Sequence, residues 1–366
     1  MKIIVINKEL FHDRPPVISS LLALSDLGHD VTLLTVGIDE HWSKELQNRN
    51  ISIRIFPDLK KRTFFITKIY EYYRFKKSVS TYLNSIDTSN VLLWVIGGTT
   101  IWALGDALLS YNYVLQIQEL HENDNLLGKC FQKILPKAKA IFVNEYNRAC
   151  IYQVKYGLKK RPFIIPNKPY FIDKVDVAKL RDYIEDDILT KLREKRVVLF
   201  QGQIVSYRDL SPYIKAAKDI GGYQIVLLGR HYGDMLERYK KIDPSLIHIN
   251  RIPAPTYLAV TQLAHICLIT YDCSQLNNIY CAPNKTFEYG AYSKPMIGND
   301  IPGLKSIEEF GAGILVDESD IEDIKNAFIK IEADYEMYSN GAYEMYNSVD
   351  NKSTIKNVLK LLSNEK

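Results

Sequence analysis

The sequence predicts an α/β protein built from two doubly wound domains, each a parallel sheet with helices on its faces. Three observations carry this. Short apolar runs alternate with helical stretches through both halves of the chain, the pattern of successive βαβ units. A segment containing proline and asparagine, Phe163-Ile164-Ile165-Pro166-Asn167-Lys168-Pro169, separates the halves. The length, 366 residues, suffices for two ordinary domains.

In the first half, residues 2–6, 31–35, 52–56, 91–96, 113–118 and 140–143 are short Val/Ile/Leu-rich runs. They read as strands of a parallel sheet. Residues 16–27 and 101–109 read as helices between them, and Gly28 as the left-handed cap closing the first. In the second half the strands fall at 196–201, 223–228, 266–271, 296–297 and 313–316, with helices at 210–220 and 235–240. A further helix begins at Pro283, expected in its first turn, and is stopped by Lys294-Pro295. Residues 353–362 read as a closing amphipathic helix. The expected domains are 1–165 and 166–348, with 349–366 packing back toward the first. Residues 166–169 are the expected connection, and two such sheets leave a cleft facing the carboxyl ends of their strands.

A hydrophobic content of 46% and a charged content of 25% fit a globular protein. No apolar run reaches the roughly 18 residues needed to span a bilayer, and the first strand turns polar too soon for a signal peptide. The expected location is cytoplasmic. Five cysteines, Cys130, Cys150, Cys267, Cys273 and Cys281, lack metal-binding spacing and suit reduced thiols. A net charge of +4 is too small to argue for nucleic acid, and none is expected as a partner.

The charge is unevenly spread. Residues 52–84 hold eight cations against two acids, and aromatic residues interleave with the cations through 59–83. Such a segment can lie on an anionic membrane, cations to the headgroups and rings to the interface. Nucleic-acid binding is a second reading of the segment, and a solvated helix whose rings pack inward is a third.

The most informative stretch is Ala282-Pro283-Asn284-Lys285-Thr286-Phe287-Glu288-Tyr289. Lys285 puts a cation in the first turn of a helix, where the macrodipole favours anions. A phosphate held there by free backbone N–H groups and the lysine together would account for it. Glu288, three residues on, shares that face and would take sugar hydroxyls. Read by itself, the pair is also an ordinary exposed Lys–Glu pair. Gly202 and Gln203 follow the strand 196–201, with Arg208 just before the next helix, a place where a diphosphate would be held. Gly229-Arg230-His231-Tyr232-Gly233 has a similar setting, and Gly97-Gly98-Thr99-Thr100 reads as a sharp turn into a helix. His121 and Glu122 follow a first-half strand, where polar groups face the cleft. His121 there is a candidate for hydrogen bonding to sugar or phosphate, or for proton transfer.

Together these residues resemble the family 4 retaining glycosyltransferases, which have the GT-B architecture of two facing Rossmann-like domains. Pro283-Asn284-Lys285-x-Phe287-Glu288-Tyr289, then Lys294-Pro295 and Ile301-Pro302-Gly303, resembles the donor-site block. Phe310-Gly311-Ala312-Gly313-Ile314-Leu315-Val316, Ile164-Ile165-Pro166-Asn167 and Gly28-His29-Asp30-Val31 resemble further family segments, so the likeness covers nearly the whole chain. The resemblance implies a hexosyltransferase that moves a sugar from a nucleotide-diphosphate sugar, most simply a UDP-sugar, with no metal or other cofactor. It implies that Glu288 binds the donor ribose, that Arg208 contacts the diphosphate, and that His121 stands beside the donor sugar. With Lys285, Arg208 and His121 form the expected catalytic set. Gly202, Gln203, Asn284, Tyr280 and Arg230 complete the expected donor site, and Arg14 and Glu122 are assigned to the acceptor side.

Two positions depart from the family pattern. Tyr280 stands where the first glutamate of its E-x7-E motif would fall, and Gln203 replaces a diphosphate-binding arginine. The implied acceptor is a saccharide or lipid-linked saccharide in bacterial surface-polysaccharide synthesis, used by an enzyme peripheral to the membrane. The alternatives are a non-catalytic saccharide-binding partner and a nucleotide-sugar epimerase of the same fold.

Overall fold

The computed structural model describes residues 1–56, 65–122, 125–170, 172 and 174–364, with side chains of the helix Phe65–Asn84 from residue 69 onward. The chain divides into two units, Met1–Tyr170 with Asp350–Lys366, and Phe171–Val349. The first contains β1 (Lys2–Leu10), β2 (Asp30–Gly37), β3 (Ser52–Ile55), β4 (Val91–Ile96), β5 (Tyr113–Ile117), β6 (Ala140–Val143) and β7 (Phe163–Ile164). They pair in the order β3-β2-β1-β4-β5-β6-β7, all parallel. The second contains β8 (Arg196–Gln201), β9 (Tyr223–Leu228), β10 (Ile247–Ile249), β11 (Ile266–Ile269), β12 (Met296–Asn299) and β13 (Gly313–Val316). Their order is β10-β9-β8-β11-β12-β13, again all parallel.

The continuous apolar runs have a direct cause. Successive residues of a strand point to opposite faces, and both faces of each sheet are covered. Val197 and Leu199 of β8 join one core cluster with Cys267 and Ile269 of β11. Val198 and Phe200 join the other with Ile266 and Leu268. Strand β10, with only three residues and a histidine among them, carries no such run and is not evident from the sequence.

Each sheet reverses its strand order once, between β1 and β4 and between β8 and β11. At such a switch point the loops leaving two adjacent strands run apart and open a crevice at their carboxyl ends. Register keeps those ends level: Val198 to Phe200 lie opposite Ile266 to Leu268, and Lys2 to Ile6 lie opposite Val91 to Val95.

The closing helix, Asn351–Asn364, buries Ile355, Val358 and Leu359 in the first unit's core. This is an i, i+3, i+4 stripe, each side chain contributing about 1.5–3 kcal/mol when fully buried. The expected connection at 166–169 differs from what is found. Phe163 and Ile164 form the edge strand β7. Beyond it, Ser19 Oγ donates to the Lys168 carbonyl at 3.0 Å, Asn351 Nδ2 donates to the Pro166 carbonyl at 2.8 Å, and the Tyr170 hydroxyl bonds Asp26. These bonds tie residues 166–170 to the first unit, so the division falls after Tyr170.

Helix ends follow local chemistry. The helix Pro15–Asp26 closes with Gly28 at φ 78, where Gly28 N–H bonds the Ser25 carbonyl and His29 N–H the Leu24 carbonyl, a Schellman motif. The helix Asn284–Ala291 closes the same way, but Ser293 takes the left-handed position at φ 56. Ser293 and Lys294 N–H groups bond the Gly290 and Tyr289 carbonyls, so the stop precedes Lys294-Pro295. Pro283 is the N-cap of this helix rather than a residue of its first turn, with extended backbone at φ −74 and ψ 138. No described helix is long and apolar enough to cross a membrane, and no disulfide joins any of the five cysteines.

Candidate functional site

At the carboxyl end of the second sheet, β8 finishes at Gln201 and Gly202 turns the chain at φ 151. A Cβ at Gly202 would stand 3.0 Å from Lys285 Nζ, so glycine lets the backbone lie against that amine. The next loop brings the Arg208 guanidinium to 4.7 Å from the centroid of the Tyr271 ring, which follows β11. Lys285 Nζ lies 5.7 Å from the same ring and 4.8 Å from that of Phe200. Two cations from distant parts of the sequence thus approach the same aromatic ring, at the switch point between β8 and β11.

Lys285 Nζ and Arg208 Nε are both buried without a hydrogen-bond partner. Burial, reinforced by the Arg208 charge, pushes the Lys285 amine down to about 7, against the opposing pull of Glu288 and Cys281. First-turn N–H groups and two cationic groups without hydrogen-bond partners at these atoms make an anion-binding arrangement.

Glu288 is 4% exposed. Its Oε2 accepts from Gln201 Nε2 at 2.6 Å and its Oε1 from the Tyr257 hydroxyl at 2.7 Å. Thr261 Oγ1 donates to Gln201 Oε1 at 2.8 Å, which fixes the amide's orientation. Burial raises the Glu288 pKa above the usual carboxylate range, and the bonds from Tyr257 and Gln201 partly offset it. The exposed-pair reading of Lys285 and Glu288 is therefore excluded: the carboxylate is buried and held by neutral donors, and the amine has no hydrogen-bond partner. Each carboxylate oxygen keeps a second lone-pair site for a hydroxyl.

The other expected donor-site residues surround this centre unevenly. Asn284 opens the helix, leaving first-turn N–H groups beside Lys285. Tyr280 is the C-cap of a short helix, Leu276–Ile279. The Gln203 and Arg230 side chains are exposed, and their loops run side by side through an Ile204 N–H bond to the Arg230 carbonyl at 2.9 Å. A cavity of about 300 Å³ beside Arg208 is lined by Tyr271, Thr270, Asp272 and Glu318 among others. Among the described residues no three His, Cys, Asp or Glu side chains stand close enough to hold a metal ion.

His121, Arg14 and Glu122 belong to the first unit. His121 packs edge-on against Phe131 at 5.3 Å, and its backbone N–H bonds the Tyr152 hydroxyl at 3.2 Å. Its Nε2 is buried and unpartnered, and a Cβ on Gly98 would run into it. The Gly97-Gly98 turn thus admits the histidine at the carboxyl ends of β4 and β5. Burial lowers the His121 pKa, opposed by the Glu119 charge and helped by Arg148 and Lys155. Arg14 pairs with Glu9 just past β1, and the Glu122 carbonyl accepts from Lys155.

Of the basic aromatic segment, residues 57–64 lie outside the described residues. In the helix that follows, Phe75, Val79 and Leu83 are buried and Tyr72 meets Trp102 edge-on at 4.6 Å. Ile69, Tyr70 and Tyr73 are exposed, as are Arg74 and Lys77. Rings therefore point both ways.

Sequence reasoning missed Phe200, Gln201, Tyr257, Thr261 and Tyr271. Gln201 left a signal, an amide ending an apolar strand. Tyr257 left none, because it reaches Glu288 across 31 positions from a loop.

The two parallel sheets and their strand orders make two Rossmann-like units, the building blocks of the GT-B fold. Solved structures match it over the full chain. Anabaena HepE, in complex with UDP and glucose, covers 100% of both chains with a TM-score of 0.71 at 12% identity. Sucrose-phosphate synthase from Thermosynechococcus elongatus covers 100% of both with 0.67 at 15% identity. AviGT4, a glycosyltransferase involved in avilamycin A biosynthesis, covers 99% of this chain and 98% of its own with 0.59 at 14% identity. No protein-family profile matches the sequence, and no curated protein does.

Proposed function

We propose that this chain is a glycosyltransferase of the family 4 type that transfers a hexosyl group from a nucleotide-diphosphate sugar, most simply a UDP-sugar. The observation that carries the reading is the pair of buried cationic groups, Lys285 Nζ and Arg208 Nε, left without partners at the switch point of the second sheet. In this reading they hold the diphosphate with the N–H groups at 284–286, and Glu288 holds the ribose. Charge grows on the diphosphate as the glycosidic bond breaks. Cations already in place stabilise that state more than the ground state, without a metal ion. The sugar departs with oxocarbenium character and the acceptor hydroxyl attacks the same face, giving retention. His121, with Arg14 and Glu122, is assigned to the sugar and acceptor. The acceptor is a saccharide or lipid-linked saccharide of bacterial surface-polysaccharide synthesis. The exposed Tyr70, Tyr73, Arg74 and Lys77 support a peripheral contact with an anionic membrane.

A thermal-shift screen of nucleotide sugars tests the donor. A true donor at 100 times its Kd stabilises by about 2.7 kcal/mol, and no shift with any nucleotide sugar removes the reading. Product analysis then separates three outcomes. Transfer to an acceptor supports the proposal, and conversion of donor alone marks an epimerase. Binding without turnover marks a non-catalytic partner, a reading that Tyr280 in place of a glutamate favours. Absence of binding to anionic vesicles at low salt removes the membrane contact.

A further inference from the structure

We infer that this site takes up a proton together with its nucleoside diphosphate, the ammonium of Lys285 forming as the diphosphate enters between Phe200, Tyr271 and Arg208. The inference rests on the nucleotide-sugar reading and deepens it. The contacts and charges felt at Lys285 Nζ come from several elements. β8 and its turn contribute Phe200 and Gly202, the following loop contributes Arg208, and the loop after β11 contributes Tyr271. The loop before the helix contributes Cys281, and the helix itself contributes Glu288. The only carboxylate in that set already accepts from Gln201 and Tyr257, and the amine makes no hydrogen bond.

An ammonium buried beside a guanidinium, with no anion in contact, is disfavoured by desolvation and by like charge. The lowered proton affinity of Lys285, to about 7, agrees with this geometry. A diphosphate supplies the missing anion and restores the amine's affinity for its proton. Linkage then requires the converse: the ligand binds less well as the proton becomes scarce. Between pH 7.5 and 9 the Kd for UDP rises by up to about tenfold per pH unit. The last ionisation of a phosphate lies near pH 6, so the ligand itself contributes little in that range.

The test is calorimetric titration of the full chain with UDP at pH 8, in buffers of different ionisation enthalpy. The slope of observed enthalpy against buffer enthalpy counts protons taken up. The expected result is an uptake close to one, with Kd climbing from pH 7.5 to 9. In Lys285→Arg the guanidinium is always charged, so binding should carry an uptake near zero. Wild-type binding without uptake overturns this inference and leaves the donor reading standing, as does uptake that persists in Lys285→Arg. Failure of UDP to bind at both pH 6.5 and pH 8 overturns the donor reading and this inference with it. The wild-type measurements decide the matter even if the variant does not fold.

Discussion

Replacing Lys285 by methionine should make this protein more stable and less active at once. Methionine fills nearly the same space between Phe200 and Tyr271, and its thioether suits aromatic neighbours. The amine it replaces is buried with no partner. In the unfolded chain that amine titrates near 10.5, in the fold near 7. Below pH 7 both states carry the proton, and the fold bears the full penalty of a buried ammonium. Above about 10.5 neither carries it and the penalty is gone. Between those values the unfolded chain binds more protons, so stability rises with pH. The gap amounts to at most about 4 kcal/mol at pH 7. Mutational costs of buried unpaired polar groups suggest a realised gain of about 1–3 kcal/mol. Urea unfolding at pH 7 should show the variant gaining that much, and at pH 10 the gain should shrink. Turnover with the donor found by screening should fall about 10- to 150-fold, the loss of one charge-assisted contact worth about 1.5–3 kcal/mol. A variant that loses stability at pH 7 and keeps its turnover would refute the reasoning, because Lys285 would then be a structural residue.

Three further outcomes are expected. Arg208→Ala should lower turnover by about 10- to 150-fold with an unchanged circular dichroism spectrum, and near-normal rates in both the Arg208 and Lys285 variants would take the two residues out of the diphosphate site. Tyr257→Phe removes one of the two donors to the Glu288 carboxylate, so denaturant unfolding should show a loss of about 1–3 kcal/mol; an unchanged midpoint means that water replaces the hydroxyl. Gly98→Ala places a methyl group against His121 Nε2, and overpacking of this kind costs about 1–3 kcal/mol. Its Tm should fall, while a Tm equal to wild type would show that the turn can shift to admit the methyl.

The sequence by itself determined the class of fold and the residue types at its centre. Parallel strands buried on both faces must be apolar throughout, so Val197 to Phe200 and Ile266 to Ile269 could be read as strands from composition and length. Pro283-Asn284-Lys285 and Glu288 were visible because a cation in a helix's first turn breaks a local electrostatic rule. Local rules also marked Gly28, whose left-handed φ a glycine adopts without strain. Local rules failed where partners are remote. Nothing near Lys285 in the chain reveals that Arg208 and Lys285 both approach the Tyr271 ring. Nothing near Glu288 reveals that Tyr257, Gln201 and Thr261 hold its carboxylate. Burial, too, is a property of the packed whole, and it turned an ordinary lysine and glutamate pair into an unpartnered amine beside a separately held carboxylate. The sheet's strand order decided the rest: it set β8 beside β11, which brought the loops carrying Arg208 and Tyr271 to one crevice over the helix that carries Lys285.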